Sequence, residues 1–170
     1  MYRLTCQVGL TLAVLALLGL AVPAGAQAPQ DQVPLKVTGA GPTESFVIPV
    51  GPPILSWKDS IPTGDAPLLG QFTYVDHTIV HLGVDGKPVS CTDGIGAFSA
   101  ANGDGVFLSF SGLIHPSPKP GLLLSDGIYT VTGGKDRFAG ASGSGVVTME
   151  IDPVKNMVVA SWDGTISRPK

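Results

Sequence analysis

From Gly70 onward, apolar and polar residues alternate in short runs rich in β-branched and aromatic side chains, and turn-forming pairs separate the runs. A period of two is the mark of a strand with one buried face. The pattern predicts strands near 70–82, 88–99, 105–114, 122–132, 145–151 and 156–167, with two earlier ones near 33–38 and 44–50. Asp-Gly pairs at 85–86, 93–94, 104–105, 126–127 and 163–164, with Asn102-Gly103, favour positive φ and are read as turns or bulges. No segment combines helical spacing with caps, so very little helix is expected. Seven or eight strands at this spacing predict an all-β fold, either a sandwich or a closed or nearly closed antiparallel barrel of about eight strands. The barrel is preferred because closure removes exposed strand edges. The run His115-Pro-Ser-Pro-Lys-Pro120 lacks too many ladder donors for a central strand and is placed as a rigid loop at one rim.

The N-terminus breaks the alternation. Arg3 precedes an uncharged apolar run from Val8 to Val22, and Pro23-Ala-Gly-Ala-Gln-Ala28 offers small residues at a cleavage site. This is the layout of a secretory signal peptide over residues 1–26, and it implies a secreted or periplasmic protein. The apolar run is shorter than the ~20 residues of a spanning helix, so no membrane span is expected once the leader is removed. Residues 27–68 hold eight prolines and few long apolar runs. They are read as a proline-stiffened arm with one or two strands, lying along the barrel surface or covering one end, and 69–170 as the barrel core.

Cleavage leaves 144 of the 170 residues, with nine basic against 13 acidic side chains. One domain with one core fits that length. An acidic balance without a basic cluster excludes nucleic acid as a partner. Cys6 leaves with the leader, so Cys91 has no intramolecular disulfide partner. It is read mainly as a small buried hydrophobe.

The glycine-rich stretch Gly133-Gly-Lys-Asp-Arg-Phe-Ala-Gly-Ala-Ser-Gly-Ser-Gly145 sits between two alternating segments. It resembles a motif of the allene oxide cyclase and dirigent-like barrel superfamily, which typically reads Gly-Gly-Thr-Gly-Arg-Phe-x-Gly-Ala-Thr-Gly. Ala100-Ala-Asn-Gly-Asp104 looks like a second shared element of bacterial members, and Gly164-Thr-Ile-Ser167 like a weaker third. Lys135-Asp136 stands where the superfamily usually has Thr-Gly. The resemblance implies an eight-stranded antiparallel barrel, often with an apolar cavity. Known plant members cyclise a fatty-acid epoxide or steer phenoxy-radical coupling without metal or organic cofactor. It also implies a structural role for Gly133, Gly134, Gly140 and Gly143, with Phe138 pinning the bend by burying its ring. No catalytic residue of the plant enzymes matches a position here.

Candidate chemistry is sparse. The Gly140–Gly145 run lacks the Gly-Lys-Ser/Thr ending and following helix of a phosphate loop, and no Gly-x-Ser-x-Gly elbow occurs. His77, His81 and Cys91 lie close in sequence and raise the question of a metal. If Asp85-Gly86 closes a two-residue hairpin, His81 faces Ser90 and Val80 faces Cys91. Cys91 then points away from both histidines, which themselves stand about 13 Å apart at ~3.3 Å per residue. That spacing closes on no zinc, whose bonds are ~2.0–2.3 Å. No metal and no cofactor are expected.

The strand Gln71–Leu82 is the densest polar-aromatic segment. Phe72, Tyr74, Asp76, Thr78, Val80 and Leu82 form one face; Thr73, Val75, His77, Ile79 and His81 form the other. Neither is cleanly apolar, so the inward face stays open. Inward Tyr74 and Asp76 would join Cys91 and Asp93 at a polar end of a cavity; inward histidines would offer an acid or base near neutral pH. Trp57, Trp162, Tyr129 and Phe107 are read either as an aromatic pocket wall or as ordinary core. Glu150 and Asp152 make no convincing carboxylate pair. The candidate ligand-binding set is therefore Tyr74, Asp76, His77, His81, Cys91 and Trp162.

Three functions fit: a non-enzymatic module enclosing a small apolar ligand in a cavity of roughly 300 Å³ or more, a cofactor-free cyclase or isomerase, or a structural, self-associating envelope protein. The first is preferred, because no dense catalytic constellation is present. A homo-oligomer is compatible with each.

Overall fold

The structure is a computed structural model and describes residues 31–48 and 55–167; the leader read at 1–26 lies outside the described residues. The strands are β1 (Gln32–Ile48), β2 (Leu55–Ser60), β3 (Thr63–Ala66), β4 (Gly70–Leu82), β5 (Pro88–Ala100), β6 (Gly105–Pro116), β7 (Leu123–Lys135), β8 (Gly143–Asp152) and β9 (Met157–Ser167). A 3₁₀ turn at Asp136–Phe138 is the one helical element among the described residues.

Consecutive strands pair antiparallel, and β9 returns to β1 from Gln32↔Ser167 to Pro42↔Met157, so the sheet closes. β2 and β3 form a single stave. Ser60 and Gly64 face Thr43 and Gly39 of β1 in one unbroken register, and Ser60 and Thr63 likewise face Asp76 and Thr73 of β4. Pro62, which has no N–H, interrupts the ladder between them. Ile61 N–H still donates to Pro42 O at 2.9 Å, and Pro62 O accepts from Tyr74 N–H at 2.8 Å. The result is an up-and-down barrel of eight staves.

The described part of the proline-rich segment is barrel wall, not an arm along its surface. β1, β2 and β3 supply two of the eight staves, and β1 is the closing strand. The prolines misled because each removes only one donor. Pro34 and Pro42 lie within β1, and their neighbours carry the ladder.

The expected register holds around Val80↔Cys91 and His81↔Ser90, although the turn differs. Gly83 N–H donates to Lys87 O at 2.8 Å around a three-residue loop, Val84-Asp85-Gly86, with Gly86 at φ 75°. An irregularity between His81 and Leu82 absorbs the difference. Asp93, at φ 52°, is an extra residue of β5 that shifts the register against both β4 and β6. Asp126-Gly127 and Asp163-Gly164, read as turns or bulges, lie inside regular ladders. A Cβ on Gly164 would stand 2.5 Å from the Tyr129 hydroxyl, so close packing rather than a turn requires glycine there.

One end of the barrel is solid. Tyr74 packs on Phe98 and Trp162 with ring centroids 4.7 and 4.6 Å away, and Phe98 meets Phe72 at 5.3 Å. Val106, Leu35, Ile166 and Phe138 complete the closure, each 1% exposed or less. Phe138 therefore buries its ring as expected. Asp136, standing where the motif usually has glycine, adopts φ 54° in its place.

Candidate functional site

The opposite end carries the β4–β5, β6–β7 and β8–β9 turns. Between them lies a cavity of about 240 Å³. Val80, Leu82, Ile114, Leu123 and Ile151 form an apolar wall, while Thr43, Ser45, Lys58 and Asn156 form a polar one. Strand parity explains the arrangement. Leu82, Ile114, Leu123 and Ile151 come from four different strands, each turned inward near its rim. The Thr43 N–H donates to Asn156 O at 2.9 Å and ties the β8–β9 turn to β1. The volume falls short of the roughly 300 Å³ set as a lower bound for a ligand pocket, so the space suits a small molecule only.

Beneath this mouth runs a belt of buried polar groups. Lys58 and Ser60 point inward from β2, Asp76 and Thr78 from β4, Cys91 from β5 and Ser125 from β7. The Lys58 amine donates to the Ser60 hydroxyl, and Ser60 Oγ lies 3.2 Å from Thr43 Oγ1. Thr78 donates to the Thr92 carbonyl at 3.1 Å, and Cys91 Sγ lies 4.0 Å from Ser125 Oγ. Neither oxygen of Asp76 meets the geometry of a hydrogen bond, and the same is true of the Tyr74 and Tyr129 hydroxyls. Burial pushes the Asp76 carboxyl up to about 6, against the pull of the Lys58 charge and the nearby Ser60 hydroxyl. Burial and the Asp76 charge hold the Tyr74 hydroxyl well above its ordinary range. Tyr129 is pushed up to about 12 by burial and then by Asp163. Burial also raises the Cys91 thiol, which is thus no activated thiolate.

The inward face of β4 is the one bearing Tyr74 and Asp76. His77 and His81 lie on the outer wall, half-buried. His77 Nδ1 pairs with the Asp59 carboxylate, and His81 Nε2 lies 2.8 Å from Thr92 Oγ1. The barrel wall separates them from Cys91, as strand alternation requires. Asp93 is exposed at the bulge and does not join Asp76 and Cys91 inside. Trp162 and Tyr129 are core, and Phe107 is 41% exposed on the outside; the Trp57 side chain lies outside the described set. Of the six candidate residues, Tyr74, Asp76, Cys91 and Trp162 share the interior, but none of them lines the cavity.

The lining residues went unrecognised in the sequence, Lys58 above all. Its segment, Leu-Ser-Trp-Lys-Asp-Ser, lies among prolines and was not read as a strand. Nothing local marks a lysine as inward-facing. Only the pairing of Lys58 with Thr78 and of Ser60 with Asp76 turns these side chains inside.

No protein-family model matches the chain, and no curated protein does. Among solved structures, a pterocarpan synthase dirigent protein is similar at 16% identity over 83% of this chain and 93% of that one, with a TM-score of 0.28.

Proposed function

We propose that the chain is an exported barrel of the allene oxide cyclase and dirigent-like kind that binds a small, largely apolar ligand without chemical turnover. The supporting observation is the asymmetry of the interior. Aromatic side chains fill one end, while an apolar-walled space of about 240 Å³ is kept at the other. A barrel needing only stability would fill both, because each unfilled methyl-sized void costs ~1 kcal/mol. The binding reading outranks turnover because Tyr74 and Asp76, the groups best suited to acid–base work, lie outside the cavity lining.

Native mass spectrometry of the protein purified from its own host tests this. The expected result is a bound small molecule that Leu123→Trp, which fills the mouth, abolishes. A bare wild-type protein whose melting temperature does not respond to small apolar acids, amides and alcohols overturns it.

A further inference from the structure

Among the described residues lining the cavity Lys58 is the one that carries a charge, and it is only 6% exposed. An ammonium has three N–H donors and no acceptor. Among the described residues, its hydrogen bond is to the Ser60 hydroxyl. Among the described residues no carboxylate lies within ion-pair distance of its Nζ; the ion pairs they form belong to other cations. The Asp76 charge is felt at longer range, but its oxygens make no hydrogen bond to the amine. A buried ammonium with donors to spare, facing an apolar space, is costly unless something completes its shell.

We propose that the cavity takes a small monocarboxylate, its head seated on Lys58 beside Thr43 and Ser45 and its tail against Val80, Ile114 and Leu123. This deepens the binding reading and rests on it. Lys58 is the one cation in the described lining and already feels the Asp76 charge deeper in the barrel, so a single negative charge is the most the site takes. A dianionic phosphate would bring a second charge for which the lining has no partner, and a cationic ligand would meet Lys58 itself. Size limits the tail. At the ~30 Å³ that a water occupies in the liquid, the space equals about eight waters, which admits an acid of roughly ten heavy atoms and excludes a long fatty chain. Thr43 gives its one proton to the Asp59 carbonyl at 2.9 Å, so the lining hydroxyl left to donate to the carboxylate beside Lys58 is that of Ser45.

The test compares octanoate with octanamide, its neutral isostere, by calorimetric titration of wild type, Lys58→Met and Lys58→Gln. The expected outcome is octanoate at least tenfold tighter than octanamide on wild type, with the preference lost in both variants. Equal affinity of the two probes for wild type overturns the carboxylate assignment and leaves the binding reading intact. Absence of binding by either probe removes both. Should the variants fail to fold, the octanoate-to-octanamide ratio on wild type still decides. A chloride series gives a second reading there, with competition expected for octanoate only; no competition counts against Lys58 as the seat.

Discussion

Arg137 grips Asp104 through Nε and Nη2, each 2.6 Å from the same carboxylate oxygen. The Arg137 backbone N–H reaches the other oxygen at 3.3 Å, and Asn102 Nδ2 donates to the first at 2.7 Å. This contact joins two sequence elements, Ala100–Asp104 and the glycine-rich stretch with Phe138, across the solid end of the barrel. It fastens the 3₁₀ turn to the β5–β6 turn and holds the Phe138 ring beneath.

Asp104→Asn and Arg137→Ala are each expected to lower the melting temperature, and the double variant to lose little more than either single one. Burial opposes ionisation of Asp104, but Arg137 and Asn102 outweigh it and hold the carboxyl below its usual range. A depressed folded value means that this stabilisation is present above the unfolded carboxyl's ~3.9 and fades as pH falls through the folded value. Thermal melts between neutral pH and strong acid check this. The gap between wild type and Asp104→Asn should close on the acid side.

Asp76 has the opposite sign. Burial raises its carboxyl to about 6, so the folded state binds a proton more readily than the unfolded chain. Its contribution favours folding fully below ~3.9 and is lost as pH rises through about 6. The shift is worth on the order of 3 kcal/mol at most, with the attraction of Lys58 already included. Asp76→Asn, a mimic of the protonated acid, should therefore be more stable than wild type above pH 7 and nearly equal near pH 4. Chemical denaturation at the two pH values decides; a less stable Asp76→Asn at the higher one would sink the assignment.

Tyr74 and Gly96 form a tight pair across β4 and β5. A Cβ on Gly96 would stand 2.1 Å from the Tyr74 hydroxyl oxygen and 2.5 Å from the ring carbon bearing it. Gly96→Ala should cost about 1–3 kcal/mol through overpacking. Tyr74→Phe removes a buried hydroxyl without a hydrogen bond of good geometry and should be neutral or stabilising by about 1 kcal/mol. Combining them should recover part of the Gly96→Ala loss. Urea unfolding of the three variants measures each step, and a strongly destabilised Tyr74→Phe would show that the hydroxyl is satisfied.

The bend after the double glycine offers a gain and a loss. Asp136 holds φ 54°, a conformation that costs an L-residue energy and glycine none. Asp136→Gly should stabilise by about 0.5–1 kcal/mol, less the added freedom of the unfolded chain. Phe138→Ala, which empties a site only 1% exposed, should cost about 3–5 kcal/mol. Equilibrium denaturation of both variants is the check.

Strand positions from Gly70 onward were legible because a pleated strand turns alternate side chains to opposite sides, and period two is written directly in the order of residues. The same reasoning placed Cys91 against Val80 and away from the histidines. Before Gly70 it placed strands near 33–38 and 44–50, which are one continuous β1, but prolines hid β2 and β3, since a missing donor is visible in sequence and the neighbour that keeps the register is not. It also left open which face of β4 looks inward. That choice depends on curvature and closure, set by the β1–β9 pairing of residues more than a hundred positions apart. Local order thus determined the all-β class and the strand positions from Gly70 onward, and the motif resemblance supplied the burial of Phe138. Only closure of the ring decided that Lys58 and Asp76 stand inside and His77 and His81 outside, because a strand's inner side exists only once its neighbours on both flanks are in place.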